Sequence, residues 1–176
     1  MIPLRELCSS NFFDTKIIFL LIIRYCNISN WIAGLICFTP YYLKRCKIVK
    51  WVLKLCKCFE RLNNFFGLLC FYNGLQNYSS ARLSSTSNSL SVRYERIYKL
   101  CDPNNYFENL KHEISQNLQP IVPYILTFLT EIFQITESDN TQGYYINLDI
   151  VSEIVELMKD LRSYQKVNIL SSQIQT

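Results

Sequence analysis

Glycine and proline are scarce. Four glycines and five prolines are spread over 176 residues, so long segments run without a breaker, which disfavours a many-turned β architecture and favours helices. Charge is thin as well. Only 18% of residues are charged while 49% are hydrophobic, which excludes a disordered tail. The single histidine, His112, lies in a polar stretch (NLKHEIS) that reads as an exposed helix face. A nucleophile–base pair therefore has one candidate base, and zinc would have to rely on thiolates. No Gly-x-Gly-x-x-Gly, phosphate loop or His-Glu-x-x-His occurs. The acidic residues of the last third follow helix faces, and no catalytic constellation emerges.

Cysteine, by contrast, is plentiful. Eight stand at 8, 26, 37, 46, 56, 58, 70 and 101, with no Cys-x-x-Cys pair. Cys46, Cys56 and Cys70 fall among apolar residues at helical periodicity, where a free thiol packs as a small hydrophobe. Buried reduced thiols in a reducing, intracellular compartment are the reading, with a thiolate metal site as the alternative. The longest apolar run, Ile17 to Ile23 (IIFLLII), is bounded by Lys16 and Arg24 and falls short of the ~20 residues a span requires. The start MIPLREL has no basic region ahead of an apolar stretch, so it is no signal peptide. The run predicts a buried helix.

Charge is polarised along the chain. Residues 1–61 hold ten Lys/Arg against three Asp/Glu, a net of +7, and residues 102–165 hold three against ten, a net of −7. Two surfaces with different partners are implied.

Periodicity predicts a helix over 12–27 and a second, short one over 31–37 that ends before Pro40. Over 42–58 an apolar stripe of Ile48, Trp51, Val52, Leu55 and Phe59 faces a basic stripe of Lys47, Lys50, Lys54, Lys57 and Arg61. That basic stripe is either a solvated face or a face for an acidic partner or an anionic membrane surface. Residues 62–75 form a further apolar segment containing Gly67 and Gly74, and 84–91 have the composition of a loop or helix start. Short helices follow over 94–100 and 106–118, split by the turn Asp102-Pro103-Asn104-Asn105. In the first of two closing helices Val122, Ile125, Leu129, Ile132 and Phe133 repeat at helical spacing, with Tyr124, Phe128 and Ile135 on its other sides. Such a helix is either core or made to enter something. Asn147 or Asp149 caps the last helix, whose stripe is Ile150, Val151, Ile154, Val155, Met158 and Leu161. The fold class is all-α, without strand-type alternation or internal repeat.

Six motifs in order over residues 24–165 carry a resemblance. Arg24-Tyr25 through Asn30-Trp31 (RYCNISNW) resembles the Arg-Phe-Asn…Ser-x-Trp segment of the catalytic domain of Ras-type guanine-nucleotide exchange factors (RasGEF). Lys44-Arg45…Lys50-Trp51-Val52 with Leu62-Asn63-Asn64-Phe65 is similar to that family's central helix and Asn-Phe signature. Gly74-Leu75…Arg82-Leu83-Ser84-Ser85-Thr86 resembles its Gly-Leu…Arg-Leu-x-x-Thr-Trp stretch, and Pro103-Asn104-Asn105-Tyr106 its entry to the next helix. Pro120 to Tyr124, then Phe128 to Glu131, resemble the opening of its helical hairpin. Ile146-Asn147 and Tyr164-Gln165 sit where the family has Ile-Asn-Phe and a late Gln. The chain departs at Cys26, Gln76, Ser87, Ile125-Leu126 and Ser138, where the family has Asn, Asn, Trp, Gly and Gly.

What the resemblance implies is a single RasGEF catalytic domain over 1–170, shortened at both ends, with a tail at 171–176, apolar surface left bare around 12–27 and poor stability alone. It implies no cofactor, no metal, no nucleic acid and no covalent chemistry. The partner would be a Ras-family small GTPase (Ras, Rap or Ral) in the cytoplasm, with the inner face of the plasma membrane as the place for Lys47, Lys50, Lys54, Lys57 and Arg61. A hairpin over 123–137 and 147–165 would open the nucleotide site. Phe133 would intrude near the Mg²⁺ and Glu137 would set a carboxylate beside it. No cation stands between Glu131 and Glu137 in the sequence, so the hairpin is expected to be acidic where phosphate leaves. Leu69, Gln76, Phe107, Tyr124 and Phe128 would bind the GTPase, and Asn64 and Arg82 would act as buried hydrogen-bonding support at the hairpin base. On periodicity alone Phe133 and Leu69 fit a core equally well. Two other functions stay open: an inactive scaffold of the same fold, and a small membrane-associated helical protein.

Overall fold

The computed structural model describes residues 16–83, 94–104, 107–116, 120–137 and 148–165. Eight helices lie within these residues: α1 (Lys16–Cys37), α2 (Tyr42–Arg61), α3 (Phe65–Gln76), α4 (Tyr78–Ala81), α5 (Glu95–Leu100), α6 (Glu108–Gln116), α7 (Ile125–Glu137) and α8 (Leu148–Gln165). No strand occurs among the described residues; one isolated parallel bridge joins Asn64 to Val122.

The centre is α3. Phe65, Leu68, Leu69, Cys70, Tyr72, Gly74 and Leu75 are all buried, which distributes burial around nearly the whole helix and marks it as core. It lies against both α1 and α2. Ile32 and Ile36 of α1 pack on it from one side, Val49, Val52, Leu53 and Cys56 of α2 from another, and Ile97, Leu100, Leu110 and Ile114 of α5 and α6 complete the main cluster. A second cluster, under α7 and α8, is built on Ile18, Phe128, Leu129 and Leu161.

Two expectations are corrected here. The predicted break between 27 and 31 does not occur, and α1 is one helix of 22 residues. Asn27-Ile28-Ser29-Asn30 contains no Pro or Gly to end it, and the Ser29 hydroxyl donates to the Cys70 carbonyl of α3 at 2.9 Å, which satisfies the buried polar group. Because the helix is continuous, Ile18–Cys37 is, by length and composition only, long and apolar enough to cross a bilayer. Ile18, Ile32, Ala33 and Ile36 on it are buried, while Phe19, Leu20 and Ile23 are exposed; residues 12–15 lie outside the described residues. In α2 the buried face is Val49, Val52, Leu53 and Cys56 rather than the stripe through Trp51, which is exposed. The core face therefore sits roughly 120° round the helix from the lysines instead of opposite them.

Of the described glycines, Gly74 is the most tightly enclosed. A Cβ there would lie 2.5 Å from Ile32 Cβ and 2.8 Å from the Ser29 carbonyl oxygen. Glycine is what lets α1 and α3 cross with Ser29 against Cys70. Gly34 meets only the Phe38 ring, at 3.7 Å. Gly74→Ala is expected to lose ~1–3 kcal/mol in urea unfolding through overpacking, whereas Gly34→Ala is neutral or gains up to ~1 kcal/mol from helix propensity. Equal effects of the two would contradict the crossing described.

The buried thiols give a second expectation. Burial pushes Cys56 and Cys70 up to about 12 from an ordinary value of 9.0, and it raises Cys101 as well. A folded value above the unfolded one means the protonated thiol is favoured by folding. That contribution is complete below pH 9 and is lost as pH rises towards 12. At pH 8 a thiol reagent should label the exposed Cys26 and Cys58 in the native chain, and Cys56, Cys70 and Cys101 only on unfolding. Equilibrium stability should fall on going from pH 9 to 11. Rapid native labelling of Cys70 would sink this.

Candidate functional site: the helical hairpin and its base

Helices α7 and α8 pack against one another. Phe128, Leu129 and Leu161 join them to Ile18 at the start of α1, with Ile22, Leu157, Met158 and Tyr164 around them. The Phe128 and Tyr164 rings meet edge to face, centroids 6.1 Å apart. Outward, Leu148, Val151 and Val155 of α8 are exposed.

The base of the hairpin is fixed by backbone. Asn63 takes a left-handed conformation (φ 51°), which Asn tolerates better than most residues. The turn it makes ends α2 and starts α3. The Val122 N–H donates to the Asn63 carbonyl at 2.9 Å, and the Phe65 N–H donates to the Val122 carbonyl at 2.9 Å. The Asn64 side chain accepts from the Gly67 N–H at 2.8 Å, capping α3. The segment leading into α7 is thus tied to the first turn of the central helix. On the side, Lys111 of α6 forms an ion pair with Glu131 of α7.

Between α1, the residues Pro103 and Phe107, and α7 lies an apolar groove of about 560 Å³, lined by Ile18, Ile22, Phe107, Tyr124, Leu129 and Phe133 among others. Phe133 stands at it 48% exposed. Phe107 has φ 61°, uncommon for a bulky residue, and its ring meets Tyr124 at 5.9 Å between centroids. Tyr124 in turn meets Tyr25 in a tilted contact at 5.4 Å, and Tyr25 meets Phe66 at 6.3 Å. A row of four rings therefore runs from the core to the groove. Burial, reinforced by Tyr124, pushes the Tyr25 phenol well above its ordinary value, and burial pushes Tyr124 up to about 12. Both are neutral at physiological pH, and the groove floor carries no charge.

The structure brings together Phe107, Tyr124 and Phe133 of the residues singled out by sequence. It separates the others. Leu69 is fully buried in the main cluster, so it contacts only its own chain. Phe128 turns towards α8. Gln76 is exposed at the end of α3, its Nε2 donating to Tyr72 Oη at 3.2 Å. Glu137 is the last residue of α7; its side chain lies outside the described residues. Arg82, expected to be buried, is exposed just after α4, at the helix's C-terminal cap. The expected unrelieved acidity of α7 is corrected too, since Lys111 offsets Glu131; spacing within one helix cannot show a cation supplied by another. Sequence reasoning missed Ile18 and Ile22 as groove walls. Their i, i+4 spacing was a signal, but it is hidden in a run that is apolar at every position.

A family model for the RasGEF domain matches residues 2–169. Among relatives from Dictyostelium discoideum, Ras guanine nucleotide exchange factor P is 27% identical over 153 residues, covering 83% of this chain and 10% of that protein. Ras guanine nucleotide exchange factor M is 23% identical over 164 residues, covering 89% and 18% respectively. Ras guanine nucleotide exchange factor A is 28% identical over 121 residues, covering 66% and 20%. This chain therefore spans between 10% and 20% of the length of these relatives. With a match over nearly its whole length and an all-helical fold, the chain belongs to the RasGEF family.

Proposed function

We propose that this chain is an exchange module that promotes GDP release from a Ras-family small GTPase (Ras, Rap or Ral), using the α7–α8 hairpin and no covalent chemistry. On this reading residues 1–170 act as one domain, in the cytoplasm. The observation that carries it is Phe133: an aromatic ring on a strongly apolar helix, half exposed at a neutral apolar groove, where a core residue would be covered.

A small GTPase holds its nucleotide through Mg²⁺, a phosphate-binding loop and two switch segments ordered by those contacts. A protein that binds the nucleotide-free form better than the loaded form accelerates release by differential affinity alone. In this scheme Phe133 enters near the Mg²⁺ site, and Glu137 competes with phosphate for the loop's donors and disfavours the β-phosphate by like-charge repulsion. Phe107 and Tyr124 offer an apolar floor to switch II. Gln76 contributes from the end of α3, and Leu69 and Phe128 act from within by holding that floor and the hairpin in place. Asn64 sets the hairpin's base.

The test is release of a fluorescent guanine nucleotide from purified Ras, Rap and Ral. The parent chain should accelerate release from at least one of them. Phe133→Ala should slow that release on the order of tenfold or more. Its stability cost should stay near ~1 kcal/mol, well short of the ~3–5 kcal/mol of a packed phenylalanine. Glu137→Ala should slow release with less effect on binding of the nucleotide-free GTPase. If both variants exchange at the parent rate, the hairpin assignment is wrong. A parent chain that binds nucleotide-free GTPase yet releases nothing would be a scaffold.

A further inference from the structure

The outward arc of α2 carries five cations and no acid. Lys47, Lys50, Lys54 and Arg61 are exposed and Lys57 is half-buried; at alternating spacings of three and four they form one stripe, roughly 21 Å long at helical rise. Glu60, the only acid on α2, lies towards α5, where it pairs with Arg96. Exposed apolar side chains share the arc with the lysines: Leu43 (73%), Trp51 (45%) and Leu62. At its leading end the corner between α1 and α2 presents Phe38, 90% exposed, and Tyr41. That corner is held firmly, since Arg45 Nη1 donates to the Thr39 and Pro40 carbonyls at 3.1 and 3.0 Å, and the Thr39 hydroxyl donates to Leu35 O at 2.7 Å.

We propose that this face, α2 together with the corner before it, docks on an anionic lipid bilayer. A face that is merely solvated has no use for Phe38, Leu43, Trp51 and Leu62 among its lysines. Aromatic rings would suit single-stranded nucleic acid, but exposed aliphatic side chains interleaved with cations have no partner there. Both parts suit a bilayer. Lysines and arginine meet the headgroup charge, while Trp and Tyr favour the interface and Phe and Leu reach the acyl boundary. An anionic leaflet such as the inner face of the plasma membrane has the required chemistry. None of these residues lines the groove at Phe133, so the inference stands apart from the exchange reading and is tested with no GTPase present.

The experiment is co-sedimentation of the full chain with vesicles of phosphatidylcholine alone or mixed with phosphatidylserine. Binding should require phosphatidylserine and weaken as salt is raised. Lys47→Gln/Lys50→Gln/Lys54→Gln should lower partitioning on the order of a hundredfold, about fivefold per cation, while Lys99→Gln on α5 should leave it unchanged. Phe38→Ser/Leu43→Ser should weaken binding but keep its salt dependence. Far-UV circular dichroism checks that each variant is folded; should the triple variant fail, Lys50→Gln and the parent's salt dependence supply the same readout. Equal binding to both vesicle types, an unaffected lysine variant, or displacement from vesicles by a single-stranded oligonucleotide would each overturn the proposal.

Discussion

The pairing of Val122 with Asn63 and Phe65 is the constraint on which the rest of the site depends. Two backbone hydrogen bonds, each 2.9 Å, fasten the segment before α7 to the first turn of the central, largely buried helix α3. A backbone link of this kind is insensitive to which side chains flank it, yet it requires an unusual local shape. The chain supplies that shape with two asparagines in succession. Asn63 accepts a positive φ, and Asn64 caps the helix that begins immediately afterwards. A hairpin of two amphipathic helices has no intrinsic reason to stand at a given angle to a core; this junction provides one.

From that anchor the row of rings Phe66, Tyr25, Tyr124 and Phe107 extends the rigid core to the wall of the groove. Edge-to-face and tilted rings resist shear because each one must rotate if its neighbour moves. Two phenols within the row are kept neutral by burial, so the groove presents shape and apolar surface rather than charge. The ion pair from Lys111 to Glu131 holds the flank of α7 against α6. Being partly exposed, it contributes little stability by itself; its geometric effect is to leave Phe133, two residues on, facing a different neighbour from Glu131.

Much of this was legible in the sequence, and the failures share a cause. Helix locations over 42–61, 65–76, 125–137 and 148–165 follow from breaker scarcity and periodicity, because those signals are local. Which face of a helix is buried is not local. In α2 the sets Ile48, Trp51, Val52, Leu55, Phe59 and Val49, Val52, Leu53, Cys56 are both apolar at helical spacing; only the presence of α3 selects the second, whose smaller side chains let the helices close. The same holds for α1, where Ser29 and the asparagines resemble a break until Cys70 accepts the serine hydroxyl. Motif order identified the family because it requires no knowledge of faces. It could not tell that Leu69 sits inside the core while Phe133 does not, since both are large and apolar.

Phe133 is best understood through what surrounds it rather than by its own position. On α7 the neighbouring Thr127, Phe128, Leu129 and Ile132 are all buried, and Phe128 and Leu129 join the helix to Ile18 and to Leu161 of α8. An apolar side chain left half exposed is costly in water, by roughly 25 cal/mol for each Å². That cost is recovered only when another surface covers the ring. A hairpin stabilised by its inner residues can therefore keep one outer aromatic available without becoming unstable. On the proposed reading, with the helix anchored at Val122, insertion of that ring would require the partner, rather than the hairpin, to move. That is the physical condition the proposed displacement of a ligand from another protein would need, and a single helix can meet it by dividing its residues between inner and outer faces.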